Sequence, residues 1–379
     1  MDRRGRRAGR RFGSLLVLHP PLHAEGSPLV NDPRRQKGLR LERARASAQF
    51  KDGRFVNPSG ATPDLEGSSL PLLGEFFFRG GRRTPKGPLP VSRPHEAWAR
   101  PSETGLRVTW LGHSTVLLEL DGRRVLTDPV FGERVSPVSF AGPKRFHPVP
   151  AGLDELPPLD AVLLSHDHFD HLCAPTVAAL ARTRVPIVTA LGVGAHLEEL
   201  GVDPERITEL DWHEHIEVGG VRFTATPAQH FSGRGLTSRN RTLWASWVVE
   251  TERRKVFFSG DTGLTPAFAD VGRTHGPFDL VMLEVGAYHP AWGAIHLGPE
   301  NALAAFEMLG GGTLLPVHWG TFNLALHDWD DPAETLLSLA TERRLRIVTP
   351  QIGAVFEPEH VDAPTPWWRA VDGARERVG

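Results

Sequence analysis

The chain has 379 residues and a formal net charge of −2 at pH 7, with 40% hydrophobic and 23% charged positions. Its length allows one large domain with an extension or two smaller domains, and no apolar run reaches the roughly 18 residues of a membrane-spanning helix. Because Cys173 is the only cysteine, the sequence excludes an intrachain disulfide framework and a multi-cysteine zinc site, so any bound metal needs imidazole and carboxylate ligands.

The start of the chain is strongly basic. The first 100 residues contain 20 of the 43 Lys and Arg residues but only 9 of the 45 Asp and Glu residues. A basic arm on an acidic body favours contact with a polyanion, either a nucleic acid or an anionic membrane surface. Residues 1–45 are predicted to form a disordered arm. The apolar run at 15–18 is too short for an export signal, so we predict a cytoplasmic protein, with membrane association and export as the alternatives.

Residues 46–105 are rich in Gly, Pro and Arg, and we predict an irregular segment that wraps around a core. From residue 106 onward, short apolar runs alternate with helical patterns. Strands are predicted at 108–111, 115–120, 124–127, 161–164, 186–189, 221–225, 244–249, 255–258, 280–285, 313–316 and 345–348. Helices are predicted at 175–181, 299–309 and 332–342, each opened by a proline. This alternation predicts a layered α/β domain over residues 106–379.

The strongest chemical signal follows the predicted strand at 161–164, in a chain that has 18 histidines. The segment reads Ser-His-Asp-His-Phe-Asp-His at residues 165–171. Since side chains at i and i+2 of an extended segment point the same way, His166 and His168 can face one metal. The chain then turns toward a helix, so that Asp170 and His171 can face a second position. This spacing favours a metal centre over a set of solvated loop histidines.

Three further candidate ligands each follow their own predicted strand. They are His230, Asp261 and His318. Any one of them alone could be a capping or turn residue, and a structural zinc site would be complete with four ligands. Seven candidate ligands exceed the four of one structural site and therefore favour two catalytic metals. The first would be held by His166, His168 and His230, and the second by Asp170, His171 and His318, with Asp261 between them.

The motif at residues 166–171 fits the HxHxDH signature of the metallo-β-lactamase superfamily. Within it, the chain most resembles the family of N-acylphosphatidylethanolamine-hydrolysing phospholipase D and its bacterial relatives. This resemblance covers roughly residues 50–355. It rests on GRFVNP at 53–58, PAQH at 227–230, LWASW at 243–247, GDTG at 260–263, GPFDL at 276–280, GAYHPAW at 286–292 and HWGTF at 318–322. It implies an αββα sandwich with an irregular basic N-terminal extension and two zinc ions at the strand ends.

The resemblance also implies the reaction. Two ions about 3.5–4 Å apart would hold a bridging hydroxide that attacks phosphorus, with Asp261 as the bridging catalytic carboxylate. The expected products are a phosphatidic acid and an N-acylethanolamine or a similar alcohol. His296 matches a histidine that the family places beside the substrate, and it is a candidate to stabilise negative charge or to assist the leaving group. The alternative for His296 is a helix-flanking residue without a role.

Several residues near these motifs receive weaker assignments. Tyr288 is predicted to contact the substrate, the alternative being a packed tyrosine with a satisfied hydroxyl. Asp167 either supports a ligand by a hydrogen bond or is a solvated loop residue. For His113, Asp128 and Cys173 we predict structural roles, namely hairpin support, a turn and a small buried side chain.

Two other functions compete with the phosphodiesterase. A lactonase or another ester hydrolase could use the same dinuclear zinc site, because the same hydroxide attacks a carbonyl carbon. An RNA-processing or nucleic-acid-binding protein could use the basic arm, but the chain lacks an aromatic-interleaved basic stretch, so no nucleic-acid partner is expected. The expected partners are a phospholipid or other phosphodiester substrate and, through the arm, an anionic membrane surface.

Overall fold

Two β-sheets form the body of the fold. The structure is a computed structural model that describes residues 38–62, 82–138, 140–235, 237–289, 292 and 294–371, all within one compact unit, Pro33–Gly379. A short two-stranded ribbon, β1 (Phe50–Lys51) and β2 (Arg54–Phe55), precedes the sheets.

The first sheet has the strand order β15-β3-β4-β5-β6-β7-β8. Strands β3 to β5 and β15 pair antiparallel, whereas β5 to β8 pair parallel. Every residue of β3, β4, β6 and β7 is buried, as expected for strands covered on both faces. The strands are β3 (Leu106–Gly112), β4 (Thr115–Leu120), β5 (Arg123–Thr127), β6 (Ala161–Leu164), β7 (Ile187–Ala190), β8 (Ile207–Leu210) and β15 (Val355–Phe356).

The second sheet has the order β14-β13-β12-β11-β10-β9. Here β12, β13 and β14 pair parallel, and β9 to β12 pair antiparallel. One hydrophobic cluster contains buried residues of both sheets, so the two sheets share a core. The strands are β9 (His215–Val218), β10 (Val221–Thr226), β11 (Ser246–Glu250), β12 (Lys255–Phe258), β13 (Leu280–Glu284) and β14 (Thr313–Val317).

Helices flank both sheets, which confirms the predicted layered α/β fold. The last two helices pack against each other, and the first of these also packs against β13. The helices are α1 (Gly38–Ala46), α2 (His95–Trp98), α3 (Ala174–Leu180), α4 (Gly194–Glu199), α5 (Ala267–His275), α6 (Gly298–Met308) and α7 (Asp331–Glu342). In the part of the chain that the structure describes, no helix combines the length and the apolar character needed to cross a membrane.

The strands predicted at 115–120 and 124–127 form an antiparallel hairpin, β4 and β5. Asp121 and Gly122 both have positive φ, 48° and 79°, as a tight I′ turn requires. The predicted strand at 345–348, in contrast, is wrong, since it forms only an isolated parallel bridge between Leu314 and Ile347. The chain leaves this edge at Pro350, which has no N–H to continue the pairing.

Besides the short ribbon of β1 and β2, three strands of the two large sheets escaped prediction, and each lies at the edge of its sheet. β8, β9 and β15 are terminal strands in the sheet order, and all their residues except Leu210 are half-buried or exposed. An edge strand buries less of its surface, so its sequence carries no continuous apolar run.

The predicted domain boundaries remain a prediction. Helix α1 crosses the boundary at residue 45, and Arg40 on this helix forms ion pairs with Glu198 at 2.8 Å and Glu209 at 2.7 Å. Residues 1–37 of the predicted arm and 63–81 of the predicted wrapping segment lie outside the described residues.

Candidate metal centre

The first half of the candidate metal centre gathers three imidazoles and one carboxylate, which we call cluster 1. His168 Nδ1 lies 2.8 Å from His166 Nε2 and 3.2 Å from His230 Nε2. Asp261 Oδ2 lies 3.7 Å from His230 Nε2. Four atoms with metal-ligating lone pairs therefore converge from β6, β10 and β12.

The second half, cluster 2, shares the Asp261 carboxylate. Asp261 Oδ2 lies 3.2 Å from His171 Nε2 and 3.2 Å from His318 Nε2. Asp170 Oδ2 lies 3.3 Å from His318 Nε2. The structure thus brings together all seven residues predicted as ligands, with Asp261 between the two sets. Their role as ligands stays a prediction.

Close approach of two loops makes this arrangement possible. Gly260, next to Asp261, has φ 55°, and a Cβ built on it would lie 2.6 Å from the Cβ of Ser165. Glycine is therefore required where the loop after β12 meets the loop after β6. His113, Asp128 and His318 also have positive φ, at 54°, 33° and 65°. Strained non-glycine backbone concentrated in one place is typical of functional sites.

Asp128, for which a turn was predicted, supports both clusters from behind. Its buried carboxylate accepts hydrogen bonds from His171 Nδ1 at 2.7 Å and from Ser165 Oγ at 2.6 Å. Ser165 Oγ in turn lies 2.9 Å from His166 Nδ1. A proton held at Nδ1 of His171 leaves the lone pair of Nε2 for a metal. The signal that could have indicated this role is the position of Asp128 directly after β5.

His113 is a second residue that sequence reasoning placed outside the site. Its Nε2 lies 3.0 Å from Asp170 Oδ2, and its ring centroid lies 4.0 Å from that of His318. Burial and then the neighbouring His318 lower the pKa of His113 to about 3. His113 therefore faces cluster 2 as a neutral imidazole.

Cys173, as predicted, is a small buried side chain, packed with Val130 and Phe322.

The donor set fits divalent cations. His171 Nε2 and Asp261 Oδ1 are buried, and neither has a hydrogen-bond partner among the described residues. Burial raises the pKa of Asp261, but His171 and His318 hold it well below its usual value. The carboxylate is therefore ionised in a buried site rich in imidazole, the combination of nitrogen and oxygen ligands that zinc accepts.

Asp167 follows neither of its predicted alternatives. It is fully buried, and its Oδ1 accepts a hydrogen bond from Gly233 N at 2.7 Å, while Oδ2 lies 3.2 Å from His196 Nε2. Burial raises the pKa of Asp167, but the hydrogen bond from His196 and its charge bring the pKa down to about 2. Asp167 thus connects the metal motif to α4 and to the loop after His230.

His296 lies against both clusters. Its ring centroid is 5.0 Å from that of His230 and 5.7 Å from that of His318. Its Nδ1 lies 3.2 Å from Oε1 of Glu284, a buried residue that sequence reasoning missed. Burial lowers the pKa of His296, but the Glu284 carboxylate raises it above its ordinary value.

Tyr288 lies apart from these contacts. Its hydroxyl donates a hydrogen bond to Asp331, and its ring stacks on His327 at 4.8 Å. This environment is that of a packed tyrosine with a satisfied hydroxyl. A substrate contact for Tyr288 stays a prediction.

A cavity of about 580 Å³ has in its lining Arg145, whose guanidinium carbon lies 5.0 Å from the ring centroid of Phe322. Its lining includes Phe146, Trp292 and Leu324 together with the cations of Lys144 and Arg145. Phe322, close in sequence to Leu324, places its ring 5.3 Å from that of His113. The cavity therefore combines apolar walls with positive charge near the candidate centre.

Comparisons with known proteins agree with this geometry. A family model described as "Beta-lactamase superfamily domain" matches residues 123–319. An uncharacterized protein of Mycobacterium tuberculosis (strain H37Rv) is 46% identical over 330 residues, which are 85% of this chain and 88% of that protein. The N-acyl-phosphatidylethanolamine-hydrolyzing phospholipase D 1 of Caenorhabditis elegans is 37% identical over 358 residues, 89% of this chain and 98% of that protein.

A solved structure shares the fold. The isothiocyanate hydrolase from Delia radicum gut bacteria superposes with a TM-score of 0.54 at 22% sequence identity, covering 66% of this chain and 98% of that one.

Proposed function

The chain belongs to the beta-lactamase superfamily and is a metal-dependent hydrolase, and we propose that it hydrolyses N-acylphosphatidylethanolamine-like phospholipids in the manner of a phospholipase D. The observation that carries this proposal is the pair of His/Asp clusters sharing Asp261. The similarity to the phospholipase D of Caenorhabditis elegans over 98% of that protein's length supports the choice of substrate.

We assign two zinc ions to the centre, one to each cluster, with Asp261 between them. Bound zinc ions supply Lewis acidity and lower the pKa of water. The ligand set is His166, His168 and His230 for the first ion and Asp170, His171 and His318 for the second.

The surrounding residues orient the imidazoles for this role. Nδ1 of His171 is held by Asp128, and Nδ1 of His230 lies 2.9 Å from the carbonyl oxygen of Ile295. Each of these contacts fixes the proton on Nδ1, so that Nε2 faces the centre with a free lone pair. The hydrogen bond between His113 and Asp170 holds the Asp170 carboxylate in its position within cluster 2.

The substrate would lie between His296 and the cavity beside cluster 2. His296, which is close to both clusters, can stabilise negative charge on the phosphodiester or assist the leaving alkoxide. The apolar walls of the cavity suit acyl chains.

The direct test is hydrolysis by the purified, zinc-loaded protein. We expect N-acylphosphatidylethanolamine in vesicles to yield phosphatidic acid and N-acylethanolamine, detected by mass spectrometry, and Asp261→Asn to abolish the reaction. A panel of lactones and carboxylic esters provides the comparison. Turnover of lactones without turnover of any phosphodiester would reject the proposal in favour of an ester hydrolase.

We further propose that residues 1–45 bring the enzyme to anionic membranes. The basic composition of this segment supports the idea, since each Lys or Arg near such a surface contributes about 1 kcal/mol of attraction. Deleting residues 1–37 is expected to weaken binding to phosphatidylserine vesicles, measured by co-sedimentation. Unchanged vesicle binding, or salt-dependent binding to RNA instead, would contradict this role.

A further inference from the structure

Glu284 is a buried carboxylate at the end of β13. Strand β13 lies between β12 and β14, which lead into Asp261 and His318. Glu284 is fully buried, yet it belongs to none of the groups of described residues whose ligand atoms are close enough to share a metal ion. Its position next to the centre therefore calls for a role other than that of a ligand.

The contacts of Glu284 direct its charge toward one side chain. Oε1 accepts hydrogen bonds from the backbone N–H groups of Leu297 at 2.8 Å and Thr262 at 3.4 Å, and it lies 3.2 Å from His296 Nδ1, the one side chain among these contacts. Oε2 is buried without a hydrogen-bond partner among the described residues. Burying a carboxylate is costly unless a partner compensates for the lost hydration, and a neutral side chain of the same shape could bind the backbone N–H of Leu297. A negative charge on Glu284, as opposed to a neutral acceptor, is therefore explained by its contact with the imidazole N–H of His296.

The loop that carries His296 is held residue by residue. Gln229 Nε2 donates to Ala294 O at 2.7 Å, and His230 Nδ1 lies 2.9 Å from Ile295 O. Glu284 then holds both His296 and Leu297. A loop fixed at four successive positions gives the ring of His296 one orientation, with a ring nitrogen within 4.8 Å of the ligand atoms of Asp261 and His318.

We propose that Glu284 is a positioning residue for His296: its carboxylate accepts the Nδ1–H of the ring, fixes that tautomer, and leaves Nε2 to face the substrate. The inference rests on the proposed function only for the identity of the substrate. In the competing view, Glu284 merely ties the loop to β13 through Leu297.

The variant Glu284→Gln separates the two views. Glutamine keeps the shape of the side chain and an oxygen that can accept from Leu297 N. Because Oε1 makes both contacts, glutamine with its oxygen in that place would keep both hydrogen bonds and lose only the negative charge. A structural tie needs only the oxygen and survives this change, whereas the charge that favours the proton on Nδ1 of His296 is lost.

The first readout is the tautomer itself, measured by NMR on zinc-loaded protein with ¹⁵N-labelled histidine. His296→Ala identifies the signals of His296. We expect the proton on Nδ1 in the wild-type protein and a smaller fraction of the ring protonated on Nδ1 in Glu284→Gln, because an amide oxygen accepts more weakly than a carboxylate. The control Glu119→Gln removes another buried carboxylate, one that pairs with Arg107 on β3, and should leave the His296 signals unchanged. A wild-type ring protonated only on Nε2 overturns the proposal without need of any Glu284 variant.

The second readout is kinetic. Glu284→Gln should lower kcat about 10- to 100-fold with little change in KM, which is part of the roughly 100- to 10,000-fold that a positioned acid–base group contributes. The double variant with His296→Ala should be no slower than His296→Ala alone, because the two residues act as one unit. Additive losses would overturn the proposal. If the wild-type protein hydrolyses no phosphodiester, the proposed function fails, while the NMR result still decides the role of Glu284.

Discussion

Asp128 orients imidazoles of both clusters although it is not itself a candidate ligand. One carboxylate holds Nδ1 of His171 directly and reaches Nδ1 of His166 through Ser165. The orientation of one imidazole in each cluster thus depends on the same residue. Such supporting contacts commonly change metal affinity without contacting the metal.

We therefore predict that Asp128→Asn weakens zinc binding about 10- to 100-fold. The amide group has no charge to hold the proton on Nδ1 of His171, and one of its two polar atoms is a donor instead of an acceptor. Titration against a competing chelator measures the change. Asp270→Asn is the matched control, since Asp270 lies on the exposed face of α5 and pairs only with Arg273 among the contacts described for it. Equal zinc affinity in wild type and Asp128→Asn would contradict the support role.

His296 leads to a prediction about leaving groups. If the residue assists the departing alkoxide, His296→Ala should slow the cleavage of N-acylphosphatidylethanolamine by about 100-fold or more. A p-nitrophenyl phosphodiester should lose much less activity, because p-nitrophenolate leaves without help from an acid. The ratio of the two rates, measured on the same preparation, checks this prediction. An equal loss on both substrates would indicate that His296 acts on the phosphate instead.

At the scale of elements, the loops after the strands determine the site. The loop after β6 supplies the four predicted ligands of the HxHxDH motif, and it is fixed by contacts with other elements. Arg234 Nη1 donates to the carbonyl oxygens of Asp167 and Leu172 at 2.7 and 2.8 Å, and Asp167 binds the backbone of Gly233. These contacts position the loops after β6 and β10 against each other.

The contact between the loops after β6 and β12 can be tested at Gly260. Gly260→Ala should lower the thermal unfolding temperature and weaken zinc binding, because the new Cβ would meet Ser165 at 2.6 Å and force the loops apart. Gly310→Ala is the control: Gly310 also has a positive φ, 92°, but has open space around it, so it reports the backbone strain alone, of order 1–3 kcal/mol. If both variants lose the same stability and both retain zinc affinity, the close contact between Gly260 and Ser165 does not determine the position of the metal-binding loops.

At the scale of the whole molecule, the centre lies where the two sheets meet. The first sheet supplies His166, His168, Asp170 and His171, and the second supplies His230, Asp261 and His318. A metal bound by both clusters therefore connects the two sheets. It would stabilise the folded state, in which the ligands converge, over the unfolded chain, in which they do not.

Metal removal should accordingly destabilise the entire domain. We predict that a chelator lowers the unfolding temperature by several degrees, since a ligand at 1,000 times its Kd adds about 4 kcal/mol of stability. Scanning calorimetry with and without the chelator measures the shift. In Asp261→Asn, which alters the shared carboxylate, the chelator should have a smaller effect. A chelator effect of the same size in both proteins would show that the stabilising metal binds elsewhere.

The sequence alone determined the layered fold and the set of candidate ligands. Apolar runs define the central strands because those strands are buried on both faces. The ligands follow strands that run in the same direction within each sheet, and such strands end at the same edge. The single cysteine restricted the ligands to imidazole and carboxylate. These features depend on the chain near each residue and can therefore be read locally.

Only the tertiary structure revealed the residues that support the ligands. Asp128 and His171 are 43 residues apart, His113 and Asp170 are 57 apart, and Glu284 and His296 lie on different elements. No local pattern marks such pairs, because a hydrogen bond between distant residues leaves no periodicity in the sequence. Asp167 was misjudged for the same reason: its burial depends on α4 and on the loop after β10, which close over it only when the chain folds.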